Sequence, residues 1–207
     1  MTSGAVIKFD AKRHLYFVRG RQYPSVSGII KSELGIYYPP RKDDAAEPEY
    51  VLRGNRVHIL TENDDAGKPC NPKNSDDVPF LNAWRDWRAQ FGGYVDAIEM
   101  RVSSDVYRYA GTLDRIIRRH EDPRYIAIVD LKTGKPAPWH RLQTAGYAQA
   151  YVEDGHAGIG ADVRAIKRIA VYLRPDGTWR EAVHANPEDI DAWRAACCLH
   201  HWKQANR

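Results

Sequence analysis

The chain has 207 residues, 43% hydrophobic and 28% charged, with a formal net charge of +4. That length suits one domain with a full core, so residues 1–207 are read as a single unit, and the composition excludes a disordered or fibrous protein. No apolar run approaches the roughly 18–20 residues that a bilayer crossing needs, and the first ten residues lack a signal-peptide pattern; the expectation is a cytoplasmic protein with no membrane partner. Three cysteines, Cys70, Cys197 and Cys198, cannot all pair, which fits a reducing compartment. The small positive charge leans toward a polyanionic partner without identifying one.

Two β-rich runs, Val6-Ile7-Lys8-Phe9 and Leu15-Tyr16-Phe17-Val18, predict an N-terminal hairpin. Tyr23-Pro24-Ser25 reads as a turn, with Ser25 the N-cap of a short helix that ends before Pro39. Over 48–66, Val51, Leu52, Asn55, His58, Ile59 and Glu62 recur at helical spacing, placing His58 and Glu62 one turn apart on one side. Prolines 69 and 72 mark a loop. Phe80, Leu81, Trp84, Trp87 and Phe91 then predict an amphipathic helix over 77–91. Strands follow over 97–102, 107–118 and 125–132, a helix over 139–153, and two strands over 164–173 and 178–184 about Pro175-Asp176-Gly177. Asn186-Pro187-Glu188-Asp189 opens a terminal helix.

Chemistry concentrates in the third of the predicted strands. Side chains alternate along a strand, so Ile126, Ile128, Asp130 and Lys132 share one face. The carboxylate and ammonium therefore emerge together at the end of a buried strand, beside Thr133-Gly134, which can turn the chain away. A hard divalent cation such as Mg²⁺ takes oxygen ligands, keeps several waters, and needs only one or two carboxylates and a carbonyl beside a phosphate. Asp130 is one such carboxylate. Asp114, in Gly111-Thr112-Leu113-Asp114, is its partner on a neighbouring strand, with Gly111 leaving room for an approaching backbone. A metal held by carboxylates with an adjacent lysine can activate water and stabilise a charged transition state. Lys132 is the residue to orient or deprotonate that water.

Gly111-Thr112-Leu113-Asp114, Val129-Asp130-Leu131-Lys132-Thr133-Gly134 and Gln143-Thr144-Ala145-Gly146-Tyr147 resemble the three successive motifs of the PD-(D/E)XK nuclease superfamily, nearest to its RecB-like and phage exonuclease branches. Arg53-Gly54-Asn55-Arg56-Val57-His58 looks like the upstream helix of that branch, and residues 9–30, with His14, Tyr16 and Tyr23-Pro24-Ser25-Val26, are similar to the leading hairpin of phage members. The resemblance runs from Phe9 to Tyr151. It implies an α/β fold with a restriction-endonuclease-like core, a central mixed sheet flanked by helices, an N-terminal β-hairpin and a C-terminal helix. It further implies His58, Asp114, Asp130 and the Leu131 carbonyl as metal ligands, Lys132 as the catalytic lysine, and Glu99, Gln143 and Tyr147 near substrate or behind the ligands; Arg115, next to Asp114, is placed with these last.

The activity so implied is Mg²⁺-dependent hydrolysis of DNA, with Mn²⁺ able to substitute, by an exonuclease of phage or bacterial recombination or repair. Three cysteines cannot hold the iron–sulfur cluster of some relatives, so none is expected. No phosphate-binding Gly-Lys-Ser/Thr loop is present, so unwinding falls to a separate helicase, and a recombination or annealing protein is a further candidate partner. A structure-specific or restriction-type endonuclease is the rival enzyme, and a catalytically silent DNA-binding module the rival of another class. The oligomeric state stays open.

Two features read in more than one way. Arg115, Arg118 and Arg119 form a basic cluster that suits either a phosphate backbone or a charged hairpin edge. A histidine on a helix face, such as His58, is as readily a hydrogen-bonded core residue as a ligand. Tyr37, Tyr38, Trp84 and Trp139 are candidates for stacking on unpaired bases, although Trp84 has core spacing. Glu62 reads as solvated, and Cys197 and Cys198 as small packing residues.

Overall fold

A computed structural model describes residues 6–35, 47–122, 124–158 and 160–206. The chain opens with three short antiparallel strands, β1 (Ile7–Asp10), β2 (Leu15–Val18) and β3 (Arg21–Tyr23), then helix α1 (Val26–Glu33). Helices α2 (Glu49–Asp65) and α3 (Val78–Phe91) follow. The main sheet holds β4 (Tyr94–Ser104), β5 (Tyr109–Arg118), β6 (Ile126–Lys132), β7 (Lys167–Leu173) and β8 (Trp179–Val183), with α4 (His140–Glu153) between β6 and β7 and α5 (Glu188–Ala205) at the end.

Strand order in the main sheet follows chain order. Every neighbouring pair is antiparallel except β6 and β7. A parallel pair needs a long crossover, and α4 supplies it. β6 reads as a nearly continuous apolar run because both of its faces are covered. Ile126 and Ile128 pack in a cluster with α1, α4 and α5 residues. Ala127, Val129 and Leu131 point the other way, onto Val57 of α2 and Phe80 and Trp84 of α3. Helices on both faces of a mixed sheet, a leading antiparallel element and a closing helix are the architecture the resemblance implied.

The opening sheet is seated on the start of β5. Tyr16 and Val18 pack with Ala110, and the Ala110 amide donates to the Pro24 carbonyl at 3.0 Å. Ser25 caps α1 as expected, its hydroxyl accepting from the Gly28 amide at 2.9 Å. Two details differ from the sequence reading. Arg21–Tyr23, left unassigned up to the turn at Tyr23, forms a third strand, because β2 offers it a free edge. β4 runs over 11 residues, longer than the 97–102 segment, because the whole length of β5 pairs with it.

Trp84, Trp87 and Trp193 are fully buried, and Cys197 is buried while Cys198 is exposed. Tyr37 and Tyr38 lie outside the described residues. No helix among the described residues is long and apolar enough to cross a membrane.

Two buried histidines tie α4 to the sheet. The Ala137 amide donates to His140 Nδ1, and the Tyr172 hydroxyl lies 2.8 Å from the same nitrogen. His184 Nδ1 meets Thr144 Oγ1 at 2.9 Å. Burial, then the Lys132 and His184 charges, lowers His140 to about 3; burial, then Arg168, lowers His184 to about 4 against the pull of Asp130 and Asp189. The unfolded chain therefore binds protons that the folded one refuses as pH falls below about 6.5, and the stability of the native state falls with it. Each histidine contributes a slope of up to roughly 1.4 kcal/mol per pH unit down to its folded pKa. We expect His184→Asn to show a shallower loss of melting temperature than the wild type between pH 6.5 and 4, and no change in slope above pH 7; parallel curves would contradict the assignment.

Candidate metal centre and active-site cleft

The β5–β6 ladder ends at Arg115↔Val129. Beyond it the Leu131 amide is taken by the Asp114 carboxylate, Oδ2 accepting at 2.6 Å. On the opposite side of β5 the sheet changes phase. The α4-facing cluster takes Ala97, Met100 and Val102 from β4, and Leu113 and Ile116 from β5. The steps from 97 to 100 and from 113 to 116 are odd where strand alternation requires even ones. Both strands lose phase together at Glu99 and Asp114, and Glu99 carries the cost as a positive φ of 47°. A non-glycine residue in that region stores strain of order 1 kcal/mol, of a kind that gathers at functional sites.

This distortion brings Glu99 and Asp114 to one side with His58 of α2. One ligand atom from each lies within 4.8 Å of the others. His58 Nδ1 is 3.8 Å from Asp114 Oδ1 and 3.9 Å from Glu99 Oε1, too far for hydrogen bonds and near enough for a shared cation. Burial works to lower the His58 pKa, but the Asp114 and Glu99 carboxylates outweigh it and raise it, with Lys132 opposing.

Asp130 and Lys132 face the same space from β6, as alternation predicted. Lys132 Nζ lies 2.5 Å from Asp130 Oδ2, yet that buried oxygen accepts no well-directed hydrogen bond. Burial lifts the Asp130 carboxyl to about 6; Lys132 opposes the rise and Asp114 adds to it. From α4, Gln143 Nε2 donates to the Tyr147 hydroxyl at 3.0 Å, while Gln143 Oε1 is buried without a partner.

These side chains line one cleft of about 630 Å³. Its far wall is the opening sheet and α1, where Tyr16 and Thr112 share a hydrogen bond of 2.9 Å. Glu62 also lines the cleft and is half-buried, where the sequence suggested a solvated position. So do His14, at the β1–β2 turn with φ +54°, and Arg101; neither had been given a role, because nothing local in the sequence says that the hairpin folds over the sheet.

Gly111 is needed for a different reason than expected. Side chains approach it rather than backbone: a Cβ there would lie 2.8 Å from Tyr147 Cε1 and 3.1 Å from Val26 Cγ2.

Arg115 corrects the reading of the basic cluster most sharply. Its side chain is fully buried, so it neither meets phosphate nor guards an edge. Nε donates to Asp65 at 2.6 Å, Nη1 to the Asp114 carbonyl at 2.7 Å and to Glu99 at 3.4 Å, and Nη2 to the Thr61 hydroxyl at 3.1 Å. Thr61 in turn donates to the His58 carbonyl at 3.0 Å. Asp65 also accepts from Arg88 and from Trp84 Nε1. The sequence held a signal for this network: His58, Thr61, Glu62 and Asp65 follow the 0, 3, 4, 7 spacing of one helix face. Arg118 is bonded to Asp96 and Tyr151, and Arg119 lies over the rings of Phe91 and Tyr125.

A mixed sheet covered by helices on both faces, with acidic groups where its central ladder parts, defines the restriction-endonuclease-like class of α/β protein. Within that class the chain belongs to the PD-(D/E)XK nuclease superfamily, whose family pattern matches residues 73–206. It is accordingly a metal-dependent nuclease, with DNA as its substrate. The matched segment contains Glu99, Asp114, Asp130 and Lys132 and begins after His58. Among solved structures, a candidate exonuclease from Eubacterium rectale aligns with a TM-score of 0.52 at 9% identity, over 87% of this chain and 79% of that one. The structure of SSO0001 aligns with a TM-score of 0.37 at 17% identity, over 83% and 80%. No curated protein matches the chain.

The packing at Gly111 can be checked directly. Gly111→Ala is expected to destabilise the fold by about 1–3 kcal/mol, since a methyl must displace a buried tyrosine ring. Chemical denaturation reads this, and an unchanged midpoint would show that Tyr147 moves freely.

Proposed function

We propose that the protein is a single-domain deoxyribonuclease that uses Mg²⁺, with Mn²⁺ able to substitute, and degrades DNA from an end in phage or bacterial recombination or repair. The observation that carries the reading is the convergence of His58, Glu99 and Asp114 within 4.8 Å in the cleft that also holds Asp130 and Lys132. The end-directed part takes its support from the Eubacterium rectale neighbour, itself a candidate exonuclease. Unwinding would fall to a separate helicase, and a recombination or annealing protein is a further candidate partner.

The donor set fits a hard divalent cation: the Glu99 and Asp114 carboxylates supply oxygen ligands within reach of one ion, and the His58 imidazole adds a ligand that suits Mn²⁺. Asp130, buried beside Lys132, stands outside that group of three but faces the same cleft. His58, Glu99, Asp114, Asp130 and the Leu131 carbonyl would hold the ion. When bound, it acidifies water and neutralises charge on the phosphate.

The chain's own groups then divide the work. Lys132 orients the attacking water through its ammonium and steadies the charge that grows on the phosphate. Gln143 and Tyr147, joined by the amide-to-hydroxyl hydrogen bond, form the α4 wall against which substrate lies. Arg115 is a positioning residue: one guanidinium reaches Glu99 by side chain, Asp114 by its carbonyl and His58 through Thr61.

Incubating end-labelled linear DNA and closed circular DNA with Mg²⁺, Mn²⁺ or chelator tests the activity. Metal-dependent loss of the linear DNA alone is the expected result; cutting of the circle would replace the exonuclease with an endonuclease, and intact DNA throughout would favour a binding module. Lys132→Ala should lose turnover by 10²-fold or more while still binding DNA and metal, whereas Asp114→Asn should lose metal binding as well. Arg115→Lys keeps the charge and loses the fork. It should fold, yet bind Mn²⁺ about tenfold more weakly by calorimetry; wild-type affinity would remove its positioning role.

A further inference from the structure

Of the cluster that suited either phosphate or a charged edge, Arg115 and Arg118 are ion-paired within the protein and Arg119 lies over Phe91 and Tyr125. The cations that stay open are elsewhere. At the C-terminal ends of β6 and β7, a second groove of about 430 Å³ is lined by Arg53, Lys135, Arg174 and Arg180. They come from α2, the segment after β6, the β7–β8 turn and β8. Among the described residues none of the four lies within ion-pair distance of a carboxylate, and no acidic residue lines the groove.

The neighbouring acids are engaged with other groups. Asp176, in the turn beside Arg174, accepts from the Thr178 amide and hydroxyl at 2.9 and 2.6 Å. Glu181 accepts from Trp87 Nε1 at 2.9 Å, and Asp86 from Trp179 Nε1 at 2.7 Å. Arg53 rests over the Phe80 ring at 5.3 Å, with its Nε sealed from solvent and without an acceptor. Four cations gathered about one groove, with Asp176 offsetting part of the Arg174 charge, make a surface of positive potential that favours an anion.

The groove also stands in the right place. Its floor includes Thr133, the residue after Lys132, and α2 comes close to it there: a Cβ on Gly54 would sit 3.6 Å from Thr133 Oγ1. It flanks the parallel β6–β7 pair at the carboxyl ends of the strands, where open α/β sheets receive ligands.

Resting on the nuclease reading above, we infer that this groove is a second DNA site, in which Arg53, Lys135, Arg174 and Arg180 hold backbone phosphates of the strand beyond the scissile bond. Contacts of this kind carry no sequence information. They fix the register of the strand on the enzyme, and each phosphate neutralised releases counterions, so binding becomes steeply salt-dependent.

The test is DNA binding by the full chain in chelator, where a metal-dependent nuclease leaves DNA intact. Fluorescein-labelled duplex is titrated from 50 to 200 mM salt with the wild type, Arg174→Ala/Arg180→Ala and Arg174→Lys/Arg180→Lys. Both arginines are exposed, so the variants should keep the wild-type melting temperature. Losing two phosphate contacts should flatten the slope of log K against log salt by about 1.8, so that the wild type loses roughly tenfold more affinity than the alanine variant over that range. The lysine variant should keep the wild-type slope. Equal slopes for the wild type and the alanine variant, or no binding by the wild type, would overturn the groove as a DNA site. Cleavage by the wild type with Mg²⁺, run in parallel, reports separately on the nuclease reading: cutting without a slope difference removes the groove alone.

Discussion

β5 and β6 are bonded from Arg118↔Ile126 to Arg115↔Val129 and no farther. The next pair in that register would set Asp114 opposite Asp130, two buried carboxylates face to face, a pairing that like charges oppose. The strands part instead. A buried amide stripped of its ladder partner must find another acceptor, and the Leu131 N–H finds the Asp114 side chain. That single bond fixes one oxygen of Asp114 and leaves the other toward His58. The cleft, the cluster of ligand atoms and the freed edge at the end of β6 are all consequences of where the ladder stops.

Once the strands part, the acids need a scaffold behind them, and Arg115 provides it. A buried guanidinium with one carboxylate at its Nε and three further acceptors has nearly all of its donors satisfied. Taking away one member of such a network leaves an uncompensated charge in the core, at a cost of about 3–5 kcal/mol. Stability and the geometry of the site are therefore bound to the same residue. The strained backbone at Glu99 persists because β5 and Arg115 hold it from two directions.

Much of this was legible in the sequence. The alternation of Ile126, Ile128, Asp130 and Lys132 announced a buried strand delivering two charged groups to one point, and the helix with His58 was written in its spacing. The fold class followed from the three motifs. What escaped notice depended on distance through space. Arg115 looked exposed because charge is usually exposed, and only the docking of Thr61 and Asp65 from α2, 54 and 50 residues away in sequence, makes a buried position tolerable. Glu99 could be assigned only by resemblance, since a phase slip in a strand has no compositional mark. The groove of Arg53, Lys135, Arg174 and Arg180 is invisible along the chain for the same reason: its members converge only when four elements meet.

The order of the main sheet has a consequence for how the molecule comes together. Each of its strands pairs with the next in the chain, so the sheet closes with mostly local connections, and low sequence separation favours early formation. The joins that complete the centre are of the other kind, reaching from β4 and β5 back to α2. Competence to react and integrity of the sheet thus rest on contacts of different range. When α2 loosens, Arg115 is left in the core without Thr61 and Asp65 and Val57 leaves its cluster, so the three ligand-bearing elements drift apart and the fold weakens in the same step.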